Sequence, residues 1–156
     1  MRKQDDNVNQ SGKVQAPEVL DLVHTVMHQY RSLQYQVLRD GPHDITHMES
    51  KVLGYFGRHP GTTQSDLALH SGRDKAQLAR LVKGLRDRAL VAGTADAADR
   101  RSVSLSLTAA GRSVLATLER QTRRLNAQAV AGFSAAEQRQ LVALLERVRA
   151  NLDAPG

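Results

Sequence analysis

The sequence predicts a mainly α-helical chain with one small β-hairpin, and three observations carry that prediction. Apolar residues recur at helical spacing through six separate segments. The period changes once, to strict alternation over Ser102-Val103-Ser104-Leu105-Ser106-Leu107, the pattern of a half-buried strand. The segments are bounded by capping side chains at their starts and by Gly or Pro at their ends. With 156 residues the chain is long enough for one domain and too short for two ordinary ones.

Residues 1–16 are polar, mixed in charge and without periodicity, and read as a flexible tail ahead of one folded unit over residues 17–156. Pro17 opens the first helix, where Val19, Val23, Val26, Tyr30, Leu33 and Val37 recur at alternating steps of four and three. Leu20, Met27 and Leu38 add a second apolar edge. A helix apolar on two sides needs more partners than a small domain supplies, and dimer packing is one answer. Gly41-Pro42 stops it.

Asp44 or Thr46 caps the second helix, whose stripe is Met48, Val52, Leu53 and Phe56, and His59-Pro60-Gly61 closes it. Thr62 or Thr63 starts a short third helix carrying Leu67 and Leu69, broken by Ser71-Gly72. A fourth helix over residues 74–90 places Leu78, Leu81, Val82, Leu85 and Ala89 on one side. Residues 91–94 pair with the alternating strand, leaving 95–101 as a hairpin loop. Thr108 ends the strand and caps a fifth helix that runs to about Val130 through Val114, Leu115, Leu118 and Leu125. Ser134-Ala135-Ala136-Glu137 fits a capping box, in which serine and glutamate each satisfy a free amide. The last helix carries Leu141, Leu144, Leu145, Val148 and Leu152. Three helices followed by a two-stranded hairpin describe a winged helix-turn-helix.

Lys and Arg total 22 against 16 Asp and Glu, a net charge of +6. Residues 73–101 concentrate it: eight basic residues (Arg73, Lys75, Arg80, Lys83, Arg86, Arg88, Arg100, Arg101) against four acidic ones (Asp74, Asp87, Asp96, Asp99), a local +4. The fourth helix turns Ala76, Arg80, Lys83 and Asp87 away from its apolar side, flanked by Gln77 and Ala79. Small residues let a helix enter a major groove, Arg and Lys reach phosphates or guanine, and Gln77 can pair with adenine. A solvated helix face has the same composition, but it has no reason to collect charge at the hairpin loop as well. Arginines there can enter a minor groove. Aromatic residues make up only 3%, which argues against RNA modules that stack bases on aromatic rings.

The chain has no cysteine, which excludes disulfide scaffolds, thiolate metal sites and thiol redox chemistry. The first residues hold no apolar signal segment and no stretch approaches 18 apolar residues, so the expected location is the cytoplasm, away from any membrane. No nucleophile elbow, phosphate loop or dinucleotide fingerprint is present, so no enzyme and no cofactor are expected.

Asp99-Arg100-Arg101-Ser102-Val103-Ser104-Leu105-Ser106-Leu107-Thr108 resembles the D-x-R-x-x-x-L-x-L-T wing signature of the MarR family of bacterial transcription regulators. Ile45-Thr46, Thr63-Gln64-Ser65-Asp66-Leu67-Ala68, Arg80-Leu81-Val82 and Ala109-Ala110-Gly111-Arg112 follow in register, so the likeness covers about residues 18–152. The resemblance implies a homodimer through N- and C-terminal helices (about 18–39 and 109–152) with a DNA-binding lobe over about 44–108. It implies a pseudo-palindromic operator read in successive major grooves, usually for repression. Arg101 would be the minor-groove arginine with Asp99 as its orienting partner; Arg80 and Lys83 would enter the major groove, with Thr63 and Gln64 near phosphates. Arg73, Lys75, Gln77, Arg86 and Arg100 complete the candidate DNA-binding set. Two residues depart from the pattern: Ala79 replaces a usual hydroxyl residue, and Ala89 a usual glycine.

The family often binds small aromatic acids between its dimerisation helices and DNA-binding lobe. Tyr30, Arg31, Gln34 and Tyr35 on the first helix and His47, Met48 and Lys51 on the second offer aromatic surface beside cations and an imidazole, which suits an arene carboxylate. Tyr30 and Met48 equally suit a core, and Arg31 and Lys51 a solvated face. His24 and His28 share a helix face, and His43 and His47 lie just past the first turn. Such spacing can hold zinc, yet no cysteine accompanies them, and surface or interface histidines are expected, with no metal site. The expected function is a DNA-binding repressor relieved by a small ligand. The rival readings are a non-specific architectural DNA-binding protein and a metal-responsive regulator of the same fold.

Overall fold

The computed structural model describes residues 16–39, 41–95, 98–99 and 101–156. The tail expected over residues 1–16 thus lies outside them except for Ala16. In chain order the elements are α1 (Val19–Gln36), α2 (His47–Arg58), α3 (Gln64–Ser71), α4 (Lys75–Asp87), β1 (Val91–Ala95), β2 (Val103–Leu107), α5 (Ala109–Ala129) and α6 (Ala135–Asp153). This is the winged helix-turn-helix order that the sequence predicts.

Local hydrogen bonds set the helix starts. Thr46, not Asp44, caps α2: its hydroxyl accepts from Glu49 N–H at 3.2 Å while Glu49 Oε2 accepts from Thr46 N–H at 2.9 Å. Thr63 rather than Thr62 does the same for α3 with Asp66, and Ser134 for α6 with Glu137. Asp74 accepts from Ala76 N–H, and Thr108 from Gly111 N–H. Gly72, at φ 63°, ends α3 in the left-handed conformation that glycine adopts without a Cβ clash.

The fourth helix ends earlier than residue 90, at Asp87. Ala89 sits at φ 56°, the left-handed region, in the position where a glycine is usual. Two bonds close the turn around it: Leu90 N–H donates to Leu85 O and Ala89 N–H to Arg86 O, both at 2.9 Å. The Thr108 hydroxyl then clamps Ala89 O at 2.6 Å. The alanine leaves the turn geometry intact at the cost of local strain. The third helix also differs from expectation: Leu67 is buried, but Leu69 is 86% exposed, because two residues apart on a helix lie on nearly opposite faces.

β1 and β2 pair antiparallel with Val91 opposite Leu107 and Ala95 opposite Val103. The α2–α3 connection adds a third backbone to this sheet. Gly61 N–H donates to Leu105 O at 2.9 Å, and Leu105 N–H donates to Thr62 O at 2.8 Å. The sequence marked Gly61 only as turn punctuation, since a one-residue bridge leaves no periodicity to read.

The core lies where α2, α4, α5 and the hairpin meet, with Phe56, Leu53, Leu85 and Leu90 fully buried. Backbones come closest at Gly111, where an added Cβ would fall 2.1 Å from Leu90 O. That glycine docks α5 on the α4–β1 corner. The outer helices are different. α1 packs along α5 yet has no buried residue, and neither has α6. Among the described residues no helix is long and apolar enough to cross a membrane.

Candidate nucleic-acid interface and adjoining cavity

α4 buries Leu78, Val82 and Leu85 against the core, which turns Ala76, Gln77, Arg80, Lys83 and Asp87 to solvent. Arg73 and Lys75 are exposed at its start. Lys83 Nζ meets Asp87 Oδ2 at 2.7 Å, with side chains 76% and 62% exposed. An exposed pair one turn apart is worth a few tenths of a kcal/mol, so a phosphate can take the lysine from its aspartate.

Two arginines of the basic segment also contact the protein itself, Arg86 while remaining exposed. The Arg86 guanidinium lies over β1, where a Cβ at Gly93 would come 3.0 Å from its Nη2. Arg88 bridges to α2, donating to Glu49 Oε1 at 2.5 Å and to Asp44 O at 2.8 Å. Arg88 therefore holds the fold together, and its share of the local positive charge is cancelled by Glu49. No local pattern reveals this, since the partners stand 39 residues apart.

In the hairpin loop Asp99 Oδ1 accepts from Arg101 N–H at 3.0 Å, and Asp99 O accepts from Ser102 N–H at 3.1 Å. The aspartate thus fixes the backbone that carries exposed Arg101. Arg100, the other arginine expected here, lies outside the described residues. Thr63 and Gln64 are half-buried at the start of α3. The Thr63 hydroxyl is already engaged, accepting from Asp66 N–H and donating to Asp66 Oδ2 at 2.9 Å. The Thr63 amide and hydroxyl together hold the Asp66 carboxyl below its usual range.

Beside this lobe, α1, α2, α5 and the α3–α4 turn line an open cleft of about 1250 Å³. Tyr30, Arg31, Gln34, Tyr35, His47, Met48 and Lys51 all line it. The structure adds Ser50, Arg58, Thr122 and Arg123, and also Arg73, which the sequence placed only toward DNA. Gln34 Nε2 donates to Thr122 Oγ1 at 2.9 Å and Tyr30 Oη to the same oxygen at 3.4 Å, tying α1 to α5. Tyr35 Oη lies 2.9 Å from His47 Nδ1 and 2.8 Å from Ser50 Oγ, tying α1 to α2. Burial raises the Tyr35 phenol above its ordinary range. Burial, then the positive charges of Arg31, Lys51 and Arg73, push His47 below the usual histidine value. Glu119 is the acidic group facing Arg31, Lys51, Arg58, Arg73 and Arg123 among the lining residues. Cations beside aromatic and aliphatic side chains give this lining the chemistry to pair with an anion that has an apolar body.

The histidines do not assemble. The rings of His24 and His28 sit 6.4 Å apart on exposed α1, His43 lines a separate small cavity with Leu38 and Pro42, and His47 is bonded to Tyr35. Among the described residues no group of three or more His, Asp or Glu side chains is placed to hold a metal ion.

Residues 43–102 match the family model described as "MarR family". A Thauera aromatica protein named as a transcriptional regulatory protein for the hcr operon is 28% identical over 148 residues, covering 88% of this chain and 89% of that protein. An HTH-type transcriptional repressor of Mycobacterium tuberculosis is 28% identical over 107 residues, 69% of this chain and 77% of the repressor. Among solved structures, Streptococcus pneumoniae FabT in complex with DNA superposes with a TM-score of 0.75 at 18% identity, covering 86% of this chain and 95% of FabT. The crystal structure of MarR superposes at 0.67 with 20% identity, covering 88% and 92%.

Proposed function

The chain belongs to the MarR family of transcription regulators, which are not enzymes, and on that premise we propose that it is a sequence-specific, dimeric repressor released by a small aromatic acid. One observation carries the DNA-reading part. The cationic face of α4 and the hairpin that leads to Arg101 belong to one packed lobe, because Leu85, Val91 and Leu105 share its core, Arg86 lies over β1 and residues 61–62 pair with β2. A helix and a loop held at fixed separation can read a major groove and the neighbouring minor groove together. The repressor name of the mycobacterial relative and the DNA complex of FabT support the same reading.

In this reading residues 44–108 form the DNA-binding lobe, and about 18–39 and 109–152 the dimerisation helices. Each exposes apolar side chains that a second copy would cover, including Leu20, Leu22 and Val26 on α1 and Leu141, Leu144 and Leu145 on α6. Two lobes related by a two-fold axis call for a pseudo-palindromic operator, and the place of action is the cytoplasm. The anion-receptive cavity adjoins both parts, so a ligand there can set the angle between lobe and dimer.

Competition binding against bulk DNA tests the specificity. A genomic fragment captured by the protein should be preferred by about 10³ or more at physiological salt; equal binding would leave only a non-specific architectural role. Arg101→Ala should weaken operator binding about tenfold, as loss of one groove contact worth 1–3 kcal/mol implies, with the dimer unchanged. A panel of benzoates and pyridine carboxylates should include acids that release the operator. Operator affinity unchanged by all of them would remove the effector reading.

A further inference from the structure

The hydrogen bonds around Tyr35 fix where His47 carries its proton. Ser50 Oγ lies 2.7 Å from His47 O, a carbonyl that can only accept, so the serine hydrogen points there. The 2.8 Å contact between Tyr35 Oη and Ser50 Oγ then needs the phenol hydrogen, and Tyr35 donates to Ser50. With that hydrogen committed, the 2.9 Å contact between Tyr35 Oη and His47 Nδ1 is bonded only if His47 donates from Nδ1. Any other assignment leaves two lone pairs facing each other at hydrogen-bond distance. The chain of donors therefore runs from His47 Nδ1 to Tyr35, to Ser50, and back to the His47 carbonyl.

A neutral histidine protonated on Nδ1 has a bare Nε2, and no described residue hydrogen-bonds to that nitrogen. His47 lines the cavity on α2, with Lys51 on its own helix, Arg31 on α1, Arg73 at the α3–α4 turn and Arg123 and Glu119 on α5. Burial first, and then the surrounding cations, disfavour the charged imidazole. All the cations are donors, so the imidazole Nε2 is an acceptor set among positive charges.

We infer that the Tyr35–Ser50 relay makes His47 the specificity-determining residue of this cavity, selecting aromatic anions that carry a hydrogen-bond donor, such as a phenolic hydroxyl, over those that do not. The anionic group pairs with the arginines and lysine while the hydroxyl donates to Nε2. This deepens the effector reading above and rests on it. A bare anion binds the same charges but leaves Nε2 without a donor, and a methoxy substituent of similar shape sets lone pair against lone pair.

Calorimetric titration of the full-length protein at pH 8 with matched hydroxybenzoates and methoxybenzoates, and with benzoate itself, tests the selection. The best hydroxybenzoate should bind about tenfold tighter than its methoxy counterpart, the equivalent of about 1.4 kcal/mol. His47→Asn keeps a donor near the Nδ1 position but removes Nε2. It should abolish the preference, so that the hydroxybenzoate and its methoxy counterpart bind alike. His47→Gln places an amide oxygen near the Nε2 position and should restore part of the preference. Ring nitrogen-15 NMR of the ligand-free protein should show His47 protonated on Nδ1 in wild type, and a tautomer mixture in Tyr35→Phe. A ring protonated on Nε2, or equal affinity for hydroxy and methoxy acids, overturns the inference. If no acid of any kind binds while the tautomer is as stated, it is the effector reading of the cavity that fails, and the selection fails with it.

Discussion

α4 and α6 are both amphipathic helices with apolar stripes, yet one is finished within the chain and the other is not. α4, with 13 residues, buries Leu78, Val82 and Leu85 to nearly zero exposure. α6 is longer, at 19 residues, and buries none; Leu144 and Leu145 remain 47% and 44% exposed. Burying a leucine is worth about 1.5–3 kcal/mol, so α4 is anchored by its own lobe while α6 has that stabilisation still to gain. The apolar stripe in a sequence says that a helix will be covered. It does not say by which chain.

The sharpest way to break this comparison is to make α6 uncoverable. Leu144→Asp with Leu145→Asp should turn the proposed dimer into a monomer at micromolar concentration, checked by sedimentation. Operator affinity should fall by orders of magnitude, because a second lobe no longer binds at high local concentration. A dimer that survives both charges would mean that α6 is not the interface. The wild-type melting temperature should rise with protein concentration, as for any assembly linked to folding.

Changes inside the lobe should act at every concentration alike. Gly111→Ala drives a Cβ into Leu90 O and should cost about 3 kcal/mol by denaturant melts, the upper range for overpacking. Arg88→Ala leaves Glu49 half-buried without its partner. The pair is partly solvated, which discounts the loss to about 1–2 kcal/mol. Ala89→Gly should do the opposite, relieving the left-handed alanine and raising stability by about 0.5–1 kcal/mol. A destabilised Ala89→Gly would show that the turn needs the extra chain stiffness more than the relief.

What could be read from the sequence divides along the distance between partners. The caps at Thr46, Thr63 and Ser134 join residues three apart, and the strand at 103–107 has a period of two, so a short window contains the whole signal. The choice between Asp44 and Thr46, or Thr62 and Thr63, needed the backbone angles. The basic residues of α4 and the loop were legible as a cluster, but Arg88's pairing with Glu49 and Arg86's packing on β1 were not. The cavity residues on α1 and α2 stood out through their aromatic and cationic character. Ser50, Thr122 and Arg123 did not, because a serine, threonine or arginine on a helix is ordinary until another helix is laid beside it.

Six helices, one hairpin, their order, and a positive charge gathered on the fourth helix and the loop after it are all dictated locally along the chain. These follow from periodicity, capping and composition, which act over one or two turns of chain. Tertiary structure alone decided the rest. It placed Gly61 on Leu105, docked Gly111 on Leu90, and brought Tyr35 Oη to both His47 Nδ1 and Ser50 Oγ. Each of these depends on segments distant in the chain coming into contact, which is fixed by how the whole core packs and is written in no single segment.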